Sequence, residues 1–254
     1  MEAFKNRIAQ YVSSPDGVVD LVAGLASARQ TFEAGSDIVC AGDDTPSLFI
    51  VESGWAIRYR TIEDGRRQIL NFMLPGDLFD LQALGDLKAD HSVGALDRVQ
   101  VAVFNARRFL KALEQSGPAA TAFWWSAVQE ESVLREQIVR IGQLSARERI
   151  GHLLLELQRR LSAALGVDTL SMRLPLTRAD IGDALGLTPV HVSRTLSGLK
   201  RMDLIEEDRL SLRILDKAKL EAIAKFDPNY LHTSRLDVGS HLTIIDPPSE
   251  RQPS

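Results

Sequence analysis

The stretch Leu176–Lys200, LTRADIGDALGLTPVHVSRTLSGLK, reads as two short helices joined by a tight turn. Thr177 and Asp180 form a capping-box-like pair at the start of the first helix, with Asp in place of the usual Glu. Thr188 can cap the second, and Pro189 suits its first position, where a missing N–H costs nothing. Ile181, Leu185, Leu187 and Val192 are spaced to fill one small core, and Leu196 and Leu199 continue its stripe. Gly182 lets the two helices approach, and Gly186 can take the left-handed conformation that such a turn needs.

The other face of the second helix carries Pro189, Val190, His191, Ser193 and Arg194, with no acid nearby to pair them. A helix-turn-helix of this kind places the N-terminal part of its second helix in the DNA major groove. Arg194 can bond O6 and N7 of one guanine, Ser193 can reach a base edge or a phosphate, and Val190 can only meet a thymine methyl. Thr177, Thr188 and Arg201 are better placed for phosphates. DLIEEDRLSLRIL follows and supplies a two-stranded wing, Leu204–Ile205 and Leu210–Ile214. A purely structural helix pair is the competing reading; both caps, the glycine positions and the wing together favour DNA.

Upstream the texture differs. After an amphipathic helix at residues 16–28, the segment Arg29–Phe104 is a series of short β-type runs. Turn signals such as Ser53-Gly54, Asp64-Gly65 and Pro75-Gly76 separate them, and this spacing predicts an antiparallel roll or barrel. Asp64-Gly65 is the strongest hairpin signal. A short helix at 107–115, broken by Gly117-Pro118, leads into a long one from about Ala119 to Ile141. Along it Trp124, Ala127, Leu134, Ile138 and Ile141 follow a 4–3 alternation, with Glu131 off-pattern. Such a stripe is a seam for a second helix, or else packs on the chain's own roll. Residues 145–164 form a further amphipathic helix.

The expected division is therefore a sensor roll with its N-terminal helix (1–117), a dimerisation helix (118–144), a winged helix-turn-helix (145–230) and a tail (231–254). The fold class is α+β: an antiparallel β-roll of jelly-roll type, the long helix, and the winged module.

Composition sets outer limits. The 254 residues are 44% hydrophobic and 25% charged, as in ordinary globular proteins. No apolar run reaches the roughly 18 residues of a spanning helix, and the start lacks the apolar core of a signal peptide. A soluble cytoplasmic protein is expected, with no membrane partner. The net charge of −4 hides a mild asymmetry: residues 146–230 hold 14 Lys and Arg against 12 Asp and Glu. With one cysteine, Cys40, neither an intrachain disulfide nor a cysteine-based metal cage can form. Cys40 is either a reactive thiol or a small buried hydrophobe. An enzyme on a cupin-like roll would need clustered His and Glu, and the roll holds His91 alone. No enzymatic activity is expected.

The order of parts resembles the Crp/Fnr superfamily of bacterial transcription regulators. The resemblance rests on LTRADIGDALGLTPVHVSRTL, on the glycine-punctuated roll, and on LPGDLFDLQALGDLKADHSVGALDRVQVAVF, and covers roughly residues 20–225. It implies a homodimer on a near-palindromic operator, with RNA polymerase as a further partner. The family's recognition positions map to Val190, Ser193 and Arg194, although its best-known members carry Glu where Val190 stands. Cyclic-nucleotide-binding members have a Gly-Glu-Leu segment and an Arg-Ser or Arg-Thr pair. Here these positions hold Gly76-Asp77-Leu78 and His91-Ser92. Asp shortens the reach, and His lacks the bidentate fork of Arg. The resemblance thus implies a regulator answering to a signal other than cAMP, or to its own abundance; a cyclic-nucleotide regulator with an atypical pocket is the alternative. No cofactor is expected. His91 is a candidate haem ligand, and an iron–sulfur cluster would need more cysteines than the one present.

Overall fold

The computed structural model describes residues 1–12, 15–85 and 87–232. The chain opens with two helices, α1 (Glu2–Ile8) and α2 (Pro15–Leu25), and then enters the roll. Eight strands follow: β1 (Ala26–Phe32), β2 (Asp37–Val39), β3 (Ser47–Ser53), β4 (Ala56–Thr61), β5 (Arg67–Met73), β6 (Leu78–Phe79), β7 (Ser92–Ala95) and β8 (Val99–Asn105). They pair antiparallel in two four-stranded sheets, ordered β1-β8-β3-β6 and β2-β7-β4-β5. The β4–β5 hairpin closes at Asp64-Gly65 as the sequence predicts, with Gly65 at φ +84°.

Apart from the largely exposed edge strand β1, the sheets are covered on both faces, which is why strands such as β3 and β8 read as continuous apolar runs rather than alternating ones. Phe49, Val51, Met73, Val93, Val99 and Val101 fill the space between the sheets. Residues one step along, such as Leu48, Ile50, Ala102 and Phe104, point the other way and pack under the helices. Those helices are α1, α2, α3 (Ala106–Gln115) and α4 (Gly117–Gln143).

The second sheet turns its outer face to the C-terminal half. Trp55, Ile57, Ile69, Phe72 and Leu74 share one core with Ile150, Leu153, Leu154 and Leu157 of α5 (Ala146–Leu165). The same core runs on into the winged module. That module comprises β9 (Ser171–Arg173), α6 (Arg178–Leu185), α7 (Pro189–Arg201), β10 (Ile205–Asp208), β11 (Ser211–Ile214) and α8 (Lys217–Ala224). A 3-10 turn, Pro228–Leu231, ends the described chain.

Several features depart from the sequence reading. The wing has a third strand, β9, paired with β11, and its first strand runs to Asp208 rather than stopping at Ile205. Helices α1 and α8 were not expected, and β1 begins at Ala26, within the span read as helix. Cys40 is exposed at the end of β2, not a buried hydrophobe. Residues 233–254 lie outside the described residues, so most of the tail 231–254 does too.

Candidate nucleic-acid interface

Local chemistry builds the helix pair. The Thr177 hydroxyl accepts from Asp180 N at 3.1 Å, and Asp180 Oδ2 accepts from Thr177 N at 2.9 Å, closing a capping box on α6. Thr188 Oγ1 accepts from His191 N at 3.2 Å and starts α7. Gly186 sits at φ +65°, and a Cβ on Gly182 would lie 2.4 Å from the Leu187 carbonyl. No side chain but hydrogen fits there.

Val192, Leu196 and Leu199 bury one side of α7. Its other side is open: Pro189, Val190, His191, Ser193, Arg194 and Arg201 are all exposed, as are Thr177 and Thr188 at the helix starts. Val190 is 68% exposed. Arg194 and Arg201 form no ion pair with any described residue. The surface thus presents one apolar contact, hydrogen-bonding groups, free guanidinium charge and the positive ends of two helices. Beside it Glu207 in the wing binds Arg178 at 2.5 Å and Lys200 at 3.1 Å. Burial would raise the Glu207 pKa, but these two cations hold it below the usual carboxylate range. Nothing in the local sequence signals this trio, whose members meet only through the tertiary fold.

The module is fastened to the rest of the chain at both ends of α6. Arg67 of β5 binds Asp180 and Asp183 at 2.6 and 2.9 Å. At the far end, the Ala184 carbonyl accepts from Gln137 of α4 at 2.6 Å and from Gln68 of β5 at 3.2 Å. Arg149 of α5 donates to the Leu185 carbonyl at 2.9 Å. The carbonyls that a helix end leaves without partners are satisfied here by three different elements.

Of the five residues expected to form an effector pocket, Gly76, Asp77 and Leu78 line one cavity and His91 another. Asp77 is 4% exposed and pairs with Arg7 of α1 and, at 2.8 Å, with Arg160 of α5. Gly76 and Leu78 line the same small cavity beneath α4. His91 belongs to a separate cavity of about 270 Å³, which Arg58, Leu70, Glu130 and Leu134 also line. Ser92 turns away, its hydroxyl accepting from Ala41 N at 3.0 Å. The physical reason is charge. Asp77 is consumed by two arginines, and Arg58, the buried cation nearest His91, is paired with Glu130 of α4. A cyclic phosphate would meet a guanidinium already neutralised by a carboxylate. His91 does not fit the role of a haem ligand either. Its Nε2 accepts from Arg58 Nε at 2.9 Å, and its Nδ1 lies 2.6 Å from Asp90.

On α4 the inward face carries Ala119, Ala122, Phe123 and Val133. Of the predicted seam, Trp124 is 61% and Ile138 73% exposed, while Ala127, Leu134 and Ile141 are half-buried. His152 is fully buried at the α4–α5 joint. No described helix is long and apolar enough to cross a membrane, and no described cluster of His, Cys, Asp and Glu could hold a metal.

Comparison with known proteins agrees with this anatomy. Residues 29–116 match the cyclic nucleotide-binding domain, and residues 148–223 match the Crp-like helix-turn-helix domain. The nitrogen fixation regulation protein FixK of Bradyrhizobium diazoefficiens is 34% identical over 77% of this chain and 81% of its own. The transcriptional activator FnrL of Cereibacter sphaeroides is 30% identical over 75% and 78%. Among solved structures, FixK2 from Bradyrhizobium japonicum superposes with a TM-score of 0.69 at 27% identity, covering 77% of this chain and 96% of that one. These likenesses favour a regulator of the FixK and Fnr type over a cAMP receptor. The chain belongs to the Crp/Fnr family of DNA-binding transcription regulators.

Proposed function

We propose that the protein binds a near-palindromic operator as a homodimer, joined along α4, with one α7 helix in each of two successive major grooves. The observation that carries this reading is the α7 face itself. Pro189, Val190, His191, Ser193 and Arg194 are exposed together on a helix whose opposite side is fully buried. Arg194 reads a guanine, Val190 selects a thymine methyl, and Thr177, Thr188 and Arg201 hold phosphates. The exposed Trp124 and Ile138 lie on the side of α4 that the roll leaves uncovered, where a second α4 would pack.

The signal is not cAMP. The Arg58–Glu130 pair and the engagement of Asp77 support a roll that transmits another stimulus, or a regulator set by its own abundance. No cofactor is needed for DNA binding, RNA polymerase is the expected further partner, and the site of action is the cytoplasm. Nothing in the described site points to an enzymatic reaction.

Selection of bound sequences from random DNA, with and without cAMP, tests this reading. The expected product is a palindromic site enriched equally in both conditions, with half-sites about 10 base pairs apart centre to centre. Enrichment only with cAMP, or a single unpaired half-site, would overturn it.

A further inference from the structure

Residues Phe226–His232 follow the helix-turn-helix domain and fold back on the joint between α4 and α5. After α8 the chain reverses at Lys225, φ +52°, and Asp227 caps the turn Pro228–Leu231 through Asn229 N at 3.0 Å. The returning segment then touches both helices. Phe226 and Tyr230 pack on the His152 ring of α5, with centroids 4.9 and 5.8 Å away. The Tyr230 hydroxyl donates to Glu156 Oε2 at 2.7 Å. Leu231 is fully buried, and its carbonyl accepts from Gln129 of α4 at 2.5 Å. His232 Nε2 lies 3.2 Å from Ser132 Oγ, also on α4.

These contacts continue inward. Glu156 also binds Arg140 of α4, and Arg160 lies 3.5 Å from its other oxygen. Arg160 in turn reaches Asp77 and the Phe72 carbonyl of the roll. Gln129 accepts from Arg7 of α1 at 2.5 Å. One buried network therefore joins the returning segment, the long helix, the first helix of the DNA-binding half and the roll.

We infer that Phe226–His232 is a strap that sets the angle between α4 and α5, with Tyr230 as its positioning residue for operator recognition. This rests on the homodimer reading above, because only in a dimer does that angle set the distance between two recognition helices. The covalent joint is the two-residue link Leu144–Ser145, and beside it α4 and α5 meet directly through Arg140 with His152 and Glu156, the groups on which Tyr230 packs. The strap leaves the α7 face exposed, so it does not mask DNA. It positions, and two helices must be placed to within about 1 Å of successive grooves for both to read bases.

The test uses the full chain as Tyr230→Ala and Tyr230→Phe. Three quantities are measured: affinity for the selected operator, affinity for random DNA, and the rate of trypsin cleavage at Arg147 and Arg149 beside the joint. Tyr230→Ala is expected to weaken operator binding at least about tenfold while random-DNA binding, which is chiefly electrostatic, holds. Cleavage at the joint should quicken, and Tyr230→Phe should fall between Ala and the native chain in both measurements. Operator affinity within about twofold of native, or tighter than native, would overturn the strap. So would an equal loss on both DNAs, which marks general damage to the fold. The cleavage rate needs no DNA. If the native chain selected no palindrome the dimer reading would fall, while unchanged cleavage in Tyr230→Ala would sink the strap by itself.

Discussion

The guanidinium of Arg67, on the roll, lies 2.6 Å from the carboxylate of Asp180, on the first helix of the DNA-binding pair. That carboxylate is the same one that closes the α6 capping box with Thr177. A single side chain therefore serves the helix's own first turn and its attachment to another domain. At the opposite end of α6, Gln68, Gln137 and Arg149 hold the Ala184 and Leu185 carbonyls. Roll, long helix and α5 all bear on α6, so a shift in any of them moves the recognition helix packed beside it.

Replacing Arg67 with Ala should release the N-terminal end of α6 from the roll. The capping box keeps Asp180 satisfied, so the helix itself survives. Operator affinity should fall about fivefold to tenfold with little change in midpoint temperature, since Arg67 and Asp183 are partly exposed and such ion pairs add only about 0–1 kcal/mol to stability. Fluorescence anisotropy and thermal unfolding on the same samples separate the two effects. An unfolding midpoint lowered by many degrees would show that the pair stabilises the fold instead.

Gly182→Ala should be far more damaging than its size suggests. The new methyl would sit 2.4 Å from the Leu187 carbonyl, inside the turn that joins the two helices. Backbone must move, at about 1–3 kcal/mol for overpacking. Because this core is continuous with the outer face of the second sheet, the loss should register in the unfolding of the whole chain. A variant with native stability and native DNA binding would show that the turn relaxes without cost.

How much of this was legible in the sequence follows from the range of each interaction. The caps at Thr177 and Thr188, Gly186 and the Asp64-Gly65 hairpin are governed by residues within a few positions, and the sequence predicts all of them. The effector-pocket expectation rests on a resemblance, which says nothing of what each of its members pairs with. What separates Asp77 from His91 is Arg7, Arg160, Arg58 and Glu130, all distant in the chain. Strands β6 and β9 are two and three residues long, too short to show a period. Helix α1 lacks a side-chain cap and gains its place by burying Phe4 and Ile8. The strap has no local signature at all, since its meaning lies in where Tyr230 lands.

Ile138→Glu tests the seam on α4. The residue is 73% exposed, so the roll and winged module should fold normally. A charge buried opposite its own copy should disfavour a dimer strongly. Sedimentation should show a dimer for the native chain and a monomer for the variant, with operator binding lost in parallel. A variant that still sediments as a dimer would move the interface elsewhere.

Acid should destabilise the protein through His152. Burial, reinforced by the neighbouring Arg140, lowers its pKa from 6.5 to about 4, against a smaller opposing pull from Glu156. A histidine whose folded pKa is depressed binds its proton more readily when unfolded. Stability is therefore complete above about pH 6.5, falls as pH drops toward 4, and levels off below; the full loss is about 3 kcal/mol at most. Urea titrations across this range should give a shallower slope for His152→Gln than for the native chain. Parallel curves would mean that the ring is already free to protonate.

Arg194 is the sharpest test of base reading. Its guanidinium is exposed and forms no ion pair with any described residue, so truncation removes no internal contact and the fold should be untouched. Any change in DNA binding therefore reports on DNA. A bidentate contact to guanine is worth about 1–3 kcal/mol, and Arg194→Ala should lose that much per half-site. The loss should fall on one base pair in each half-site, where the variant tolerates any base, while the other positions keep their preference. Selection from random DNA with the variant reads this directly. A phosphate contact would behave otherwise: affinity would drop evenly over all sequences, and the dependence on salt would flatten by about one ion per contact removed. Because Val190 stands one turn away and offers only a methyl contact, the same selection should show a thymine preference that survives in Arg194→Ala and vanishes in Val190→Ser.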